Sequence, residues 1–158
     1  MSRYEVALLR GAVLYLLATA VFGVLFTLRP GLVGVFGPTH AHLGLVGFFL
    51  STVMGVAFWM LPRPGGIRQE GWEAACFYLL NAGLVLRAVA EPWWRATGAR
   101  LPHELFVVSG ALTLAAVAAF AWAMRRRIVT KETVRARSRG RGHARAVGAA
   151  PQDADAGP

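Results

Sequence analysis

The feature that most constrains this chain is a set of long apolar runs from which charge is absent. Gly11–Leu28 is 18 residues without a charged side chain, and Leu43–Pro62 and Leu105–Met124 are each 20. A helix needs about 20 predominantly apolar residues to cross about 30 Å of hydrocarbon. A fourth run, Trp72–Trp94, has the length but carries Glu73 near one end and Arg87 and Glu91 near the other. None of the four alternates with a period of two. In lipid a lone crossing must also satisfy its own backbone, so each run is read as a helix. The expected fold is an all-α membrane protein, a four-transmembrane-helix bundle. Its spans are expected at about 11–28, 42–62, 72–94 and 104–124 within a domain of residues 1–127, followed by a basic disordered tail over 128–158.

Composition agrees. Hydrophobic residues make up 56% of the 158, and the mean hydropathy of +0.48 is high for a soluble domain. One cysteine, Cys76, rules out a disulfide-stapled secreted domain. The first run follows Arg3 and Arg10 as a signal peptide would. It is longer than a signal-peptide core of about 7–15 residues, and no small-x-small site follows it before Arg29-Pro30, so it is expected to be retained.

The charges assign a direction. Residues 125–158 hold 9 of the 17 basic residues against 3 of the 8 acids, a balance of +6, and residues 1–124 carry the remaining +3. Basic residues favour the cytoplasmic side. With both termini cytoplasmic, Arg3, Arg10, Arg63, Arg68 and the tail fall inside, leaving Arg29, Arg95 and Arg100 outside. The tail has almost no large apolar residues and lacks the interleaved aromatics of a single-strand nucleic-acid binder. It is read as a flank held by anionic lipid headgroups, with no nucleic-acid partner.

Under that topology the unusual residues gather at the outer face. His40 and His42 open the second span, Arg87 and Glu91 lie in the outer half of the third, and His103 and Glu104 begin the fourth. Pro92, Trp93 and Trp94 are expected to end the third span, the tryptophans as an interfacial belt. Two residues apart on a helix, His40 and His42 point about 200° from each other, so a regular helix does not offer both to one metal. From His40 a face of small residues continues through Gly44, Gly47, Ser51 and Gly55, where another helix or a flat cofactor can approach. From His42 the face is large and apolar, through Val46, Phe49, Val53 and Met60.

Neutral imidazole is the common ligand of heme iron and copper. One reading therefore has His40 or His42, with His103 as a second ligand, hold a heme or a copper ion; the other leaves the histidines among headgroups. Arg87 either meets a heme propionate or pairs with Glu91 one turn on. Asn81 is expected to hydrogen-bond between helices, and Ser51 and Ser109 to sit at helix contacts. No phosphate-binding loop, covalent-heme Cys-x-x-Cys-His motif or internal transporter repeat is present in the sequence.

The stretch Thr39–Pro62, THAHLGLVGFFLSTVMGVAFWMLP, resembles the second membrane helix of heme-copper oxidase subunit I. It is also similar to short four-span bacterial proteins with a His-Ala-His-Leu start that are described as subunit I-like. The matching residues are His40, His42, Gly47, Gly55 and Pro62. The resemblance implies iron ligation by one of the two histidines and leaves open which. A second likeness is to NnrS-type heme/copper membrane proteins of nitric oxide response, carried by His42, Gly47 and Gly55, then Leu79, Leu80, Asn81, Leu86 and Arg87. A full oxidase subunit has about twelve spans and a His-Pro-Glu-Val-Tyr segment that this chain lacks, so the chain is not a complete oxidase on its own.

The expectation is thus a multi-pass protein of the bacterial inner membrane that binds a b-type heme, with copper as the less favoured cofactor. His40, His42 and His103 are the candidate ligands and Arg87 the propionate partner. Its role would lie in electron transfer or as an accessory subunit, with the lipid bilayer and either a respiratory oxidase or reductase complex or a second copy as partners. The alternatives are an NnrS-like protein and a cofactor-free membrane scaffold or assembly subunit.

Overall fold

A computed structural model describes residues 2–61, 70–125, 127 and 128. Arg63, Arg68 and the tail beyond Ile128 lie outside the described residues. Contacts divide the chain into residues 1–127 and 128–158; of the second unit only Ile128 is described, and it is exposed.

The described residues are helical, with no strand among them. Helix α1 is Arg3–Leu28. The second long rod runs from Pro30 to Met60 through a short 3₁₀ turn (Pro30–Leu32), α2 (Val33–His42), a π-helical stretch (Leu43–Leu50) and α3 (Ser51–Met60). Helix α4 is Glu70–Thr97 and α5 is Arg100–Met124. Each of the four rods is long and apolar enough to cross a membrane. Their outward faces carry large hydrophobics such as Leu14, Leu17, Val24, Phe49, Val89 and Leu114, a surface suited to lipid.

Local chemistry accounts for the ends. Ser2 caps α1: its hydroxyl accepts from the Glu5 amide at 3.1 Å, and the Glu5 carboxylate accepts from the Ser2 amide at 2.7 Å. This reciprocal box satisfies two amides that a helix start leaves orphaned. Between α4 and α5 the chain reverses at Gly98, whose φ of 65° is left-handed and favours glycine. Pro102 near the start of α5 loses no intrahelical bond, because the first amides have no partner there. Pro38 and Pro92, by contrast, lie inside α2 and α4. Helix α4 therefore runs through Pro92-Trp93-Trp94 to Thr97 instead of ending there.

Two glycines set how closely the rods approach. A Cβ on Gly47 would lie 2.7 Å from Tyr15 Cγ and 2.9 Å from Leu84 Cδ2, so α1, the π-helical stretch and α4 meet there. A Cβ on Gly83 would lie 2.9 Å from the Ser109 carbonyl oxygen, which draws α5 onto α4 in the most extensive pairing of the bundle. Between these crossings and the end of the bundle where α1 begins, the core is Leu8, Met54, Phe58, Cys76, Leu80 and Ala116. As expected, Asn81 bonds between helices, accepting from Tyr15 Oη at 2.7 Å, and Ser51 and Ser109 are buried at contacts.

The rods alternate in direction, so the start of α1, the end of α3, the start of α4 and the end of α5 share one end of the bundle. Arg127 binds that end together. Fully buried, it donates from Nη1 to the Phe58 carbonyl at 2.9 Å and sets Nη2 3.5 Å from Glu73 Oε1, also fully buried. The Phe58 carbonyl would ordinarily accept from the amide four residues on, but that residue is Pro62, which has no amide hydrogen. Arg127 supplies the donor, and a cation at a helix C-terminus also meets a favourable dipole.

Candidate functional site

The opposite end of the bundle carries the residues singled out by their chemistry. Helix α2 packs on both α1 and α4, and the two-residue spacing of its histidines sends them to different neighbours. His40 turns to α1, with its ring 5.3 Å from that of Phe26, beside Phe22 and Phe36. Its Nδ1 is buried without a hydrogen-bond partner among the described residues. His42 turns to α4. Its Nδ1 lies 2.7 Å from the Pro38 carbonyl oxygen and 3.7 Å from Glu91 Oε2. A carbonyl can only accept, so Nδ1 carries the proton, and the lone pair of the neutral ring is on Nε2. With its side chain one-third exposed, His42 has a fixed ring and an uncommitted Nε2.

Glu91 is the hub. Its side chain is 3% exposed and is approached by three basic groups: Arg87 Nε at 3.4 Å, His42 Nδ1 at 3.7 Å and Arg95 Nε at 3.9 Å. Arg87, Glu91 and Arg95 are spaced four apart on α4, so successive side chains stack along one face. Arg87 does not reach outward to solvent. Its guanidinium lies over the Phe106 ring at 4.5 Å, and its side chain is 17% exposed. Phe106 in turn stacks on Trp94 at 5.4 Å, so Trp94 packs onto α5 while Trp93 stays exposed.

His103 stands apart from this group. It is exposed, with its ring 5.0 Å from Trp94, and neighbouring Glu104 pairs with Arg100 at 2.8 Å on the surface. The structure thus brings His42 and Arg87 together through Glu91, and sends His40 and His103 to other neighbours. Among the described residues no group of three His, Cys, Asp or Glu side chains is placed to hold a metal ion.

The small-residue face is occupied. Leu8 and Leu9 of α1 lie against Gly55, Tyr15 against Gly47, and Thr19 against Gly44. Of the two visitors a small-residue stripe admits, a helix or a flat ring, the helix fills it. The large apolar face from His42 holds exposed Phe49, Val53 and Met60.

Sequence reasoning named Glu91 only as a partner for Arg87, and it passed over Thr39 and Arg95. The spacing of Arg87, Glu91 and Arg95 was the available signal for Arg95. For Thr39, buried with an unpartnered hydroxyl, there was none. No protein-family model, no curated protein and no solved structure matches this chain.

Proposed function

We propose that the chain is a multi-pass protein of a bacterial cell membrane that carries one b-type heme, ligated through His42 Nε2. It would serve in electron transfer or as an accessory subunit of a respiratory oxidase or reductase complex. The observation that carries this reading is the anchoring of His42. Metal-ligating histidines almost always donate their second ring N–H to a carbonyl or carboxylate, which fixes tautomer and orientation. His42 meets that condition with the Pro38 carbonyl and has Glu91 behind it. The same observation favours His42 over His40, whose Nδ1 has no such support.

A bound heme supplies one-electron exchange at its iron. The chain's own residues hold the ligand: the Pro38 carbonyl fixes the His42 ring, Glu91 lies behind it at 3.7 Å, and Arg87 and Arg95 neutralise the buried Glu91 carboxylate. Arg87 enters this reading through Glu91, with its Nε 3.4 Å from the carboxylate. His103, on the α5 side of α4, is suited to ligate iron only from a second copy or a partner chain. The basic tail and the Arg3–Arg10 segment support both termini being cytoplasmic, with His42 near the outer face.

A second reading, the cofactor-free scaffold, is favoured by the α1 side chains that fill the small-residue face. Reduced-minus-oxidised spectra of detergent-purified protein, expressed with ample heme, separate the two. Heme bands in the wild type that are lost in His42→Ala and kept in His40→Ala are expected. An intact, heme-free wild type would leave the scaffold reading standing. Stoichiometric copper with nitric-oxide-sensitive spectra would favour the NnrS-like alternative.

A further inference from the structure

Six threonines lie in the described helices, and five of them behave alike. Thr19, Thr27, Thr52, Thr97 and Thr113 each donate their hydroxyl to the carbonyl four residues earlier, at 2.7 to 3.2 Å. This back-bond is the ordinary fate of a helical threonine in an apolar setting. Thr39 makes no such bond. It is 2% exposed, and its hydroxyl has no partner among the described residues. Three residues before His42, it shares the flank of α2 that turns toward α4.

Two further buried atoms in the same region lack a hydrogen bond: Arg87 Nε and Glu91 Oε2. Their separation of 3.4 Å is long for a charge-assisted bond, which closes to about 2.7–2.9 Å. His42 does not make up the deficit. Its one Nδ1 proton goes to Pro38 at 2.7 Å, and Glu91 Oε2 is 3.7 Å away. Arg95 approaches the other carboxylate oxygen, at 3.9 Å. One helix interface thus holds a donor (Arg87 Nε–H), an acceptor (Glu91 Oε2) and a group that is both (the Thr39 hydroxyl).

We propose that the α2–α4 interface beside His42 binds internal water, held by the Thr39 hydroxyl, Arg87 Nε–H and Glu91 Oε2. A water accepts from Arg87, donates to Glu91 and exchanges a bond with Thr39. Three polar partners is the usual complement of a buried water. Polar contacts longer than about 3.5 Å, such as that between His42 and Glu91, are the ones a water commonly bridges. The site requires no bound cofactor and stands whether or not His42 ligates iron.

Water-edited solid-state NMR on isotope-labelled protein in lipid bilayers tests this directly. Magnetisation is passed from water protons to Arg87 Nε and Glu91 Cδ, with fully buried Leu84 as the dry control. Rapid build-up at both sites is expected. In Thr39→Val, which keeps the side-chain shape and removes the hydroxyl, build-up at Arg87 Nε is expected to fall toward the Leu84 level. Wild-type signals that build no faster than Leu84 would overturn the proposal, as would build-up unchanged in Thr39→Val.

Discussion

Replacing Arg127 with methionine is the most informative test of how the bundle is closed. The substitution removes the donor to the Phe58 carbonyl and the partner of Glu73, and both charged side chains are fully buried. Removing one member of a buried ion pair costs about 3–5 kcal/mol, because the other charge is left without compensation. The orphaned carbonyl adds about 1 kcal/mol or more, and the new apolar side chain recovers part of the sum, so a loss of about 4 kcal/mol is expected. With an unfolding entropy of about 2.1 cal/mol/K per residue over Met1–Arg127, that loss lowers the melting temperature by about 15 °C.

Cys76 provides the assay. It is the only cysteine and is fully buried, so a thiol-reactive fluorophore reports its exposure on heating in detergent. In the Arg127→Met background, Glu73→Gln removes the stranded charge and should restore about half of the lost stability, a coupling of about 2 kcal/mol. A single variant that melts within about 3 °C of wild type, or a strictly additive double variant, would refute the reasoning.

Gly47→Ala should lose about 1–3 kcal/mol, because the new methyl meets Tyr15 and Leu84 below 3 Å. The same thiol melt reads it, and an unchanged midpoint would mean that α1 crosses less closely than described. Tyr15→Phe removes the bond to Asn81 and should lose only about 0.6 kcal/mol, the usual size of an interhelical hydrogen bond in a membrane; a loss several times larger would make that pair a keystone of the bundle. A reporter fused after Pro158 should be active only in a cytoplasmic format, and activity in an exported format would reverse the topology.

The four helices were legible as long apolar runs, three of them charge-free, since lipid leaves a long apolar segment few other structures. The opposition of His40 and His42 was legible from their spacing alone, and so was the interhelical role of Asn81. The rods, however, outrun the apolar runs. Pro92 read as part of a helix end because an interior proline removes a hydrogen bond, yet inside a bundle neighbouring groups make good such losses. Arg127 read as one of the nine basic residues of a headgroup-binding flank. Its burial depends on Glu73 and Phe58, remote in sequence, and local patterning carries no such information. Arg87 had two readings on the sequence; it lies 3.4 Å from Glu91, and the Phe106 ring under its guanidinium comes from the next helix, which local patterning does not foresee.

The π-helical stretch Leu43–Leu50 has a consequence for alignment and engineering. Its hydrogen-bonded rings hold one residue more per turn than those of an α-helix. Counting by 3.6 across it therefore misassigns which residues above and below share an azimuth. Returning the stretch to regular winding with every residue kept would turn its His-bearing half about 100° against the glycine half, whereas taking one residue out as well would leave the two headings nearly unchanged. The stretch thus acts as an angular spacer: its width, rather than the identity of any side chain in it, sets the heading at which Thr39 and His42 meet α4.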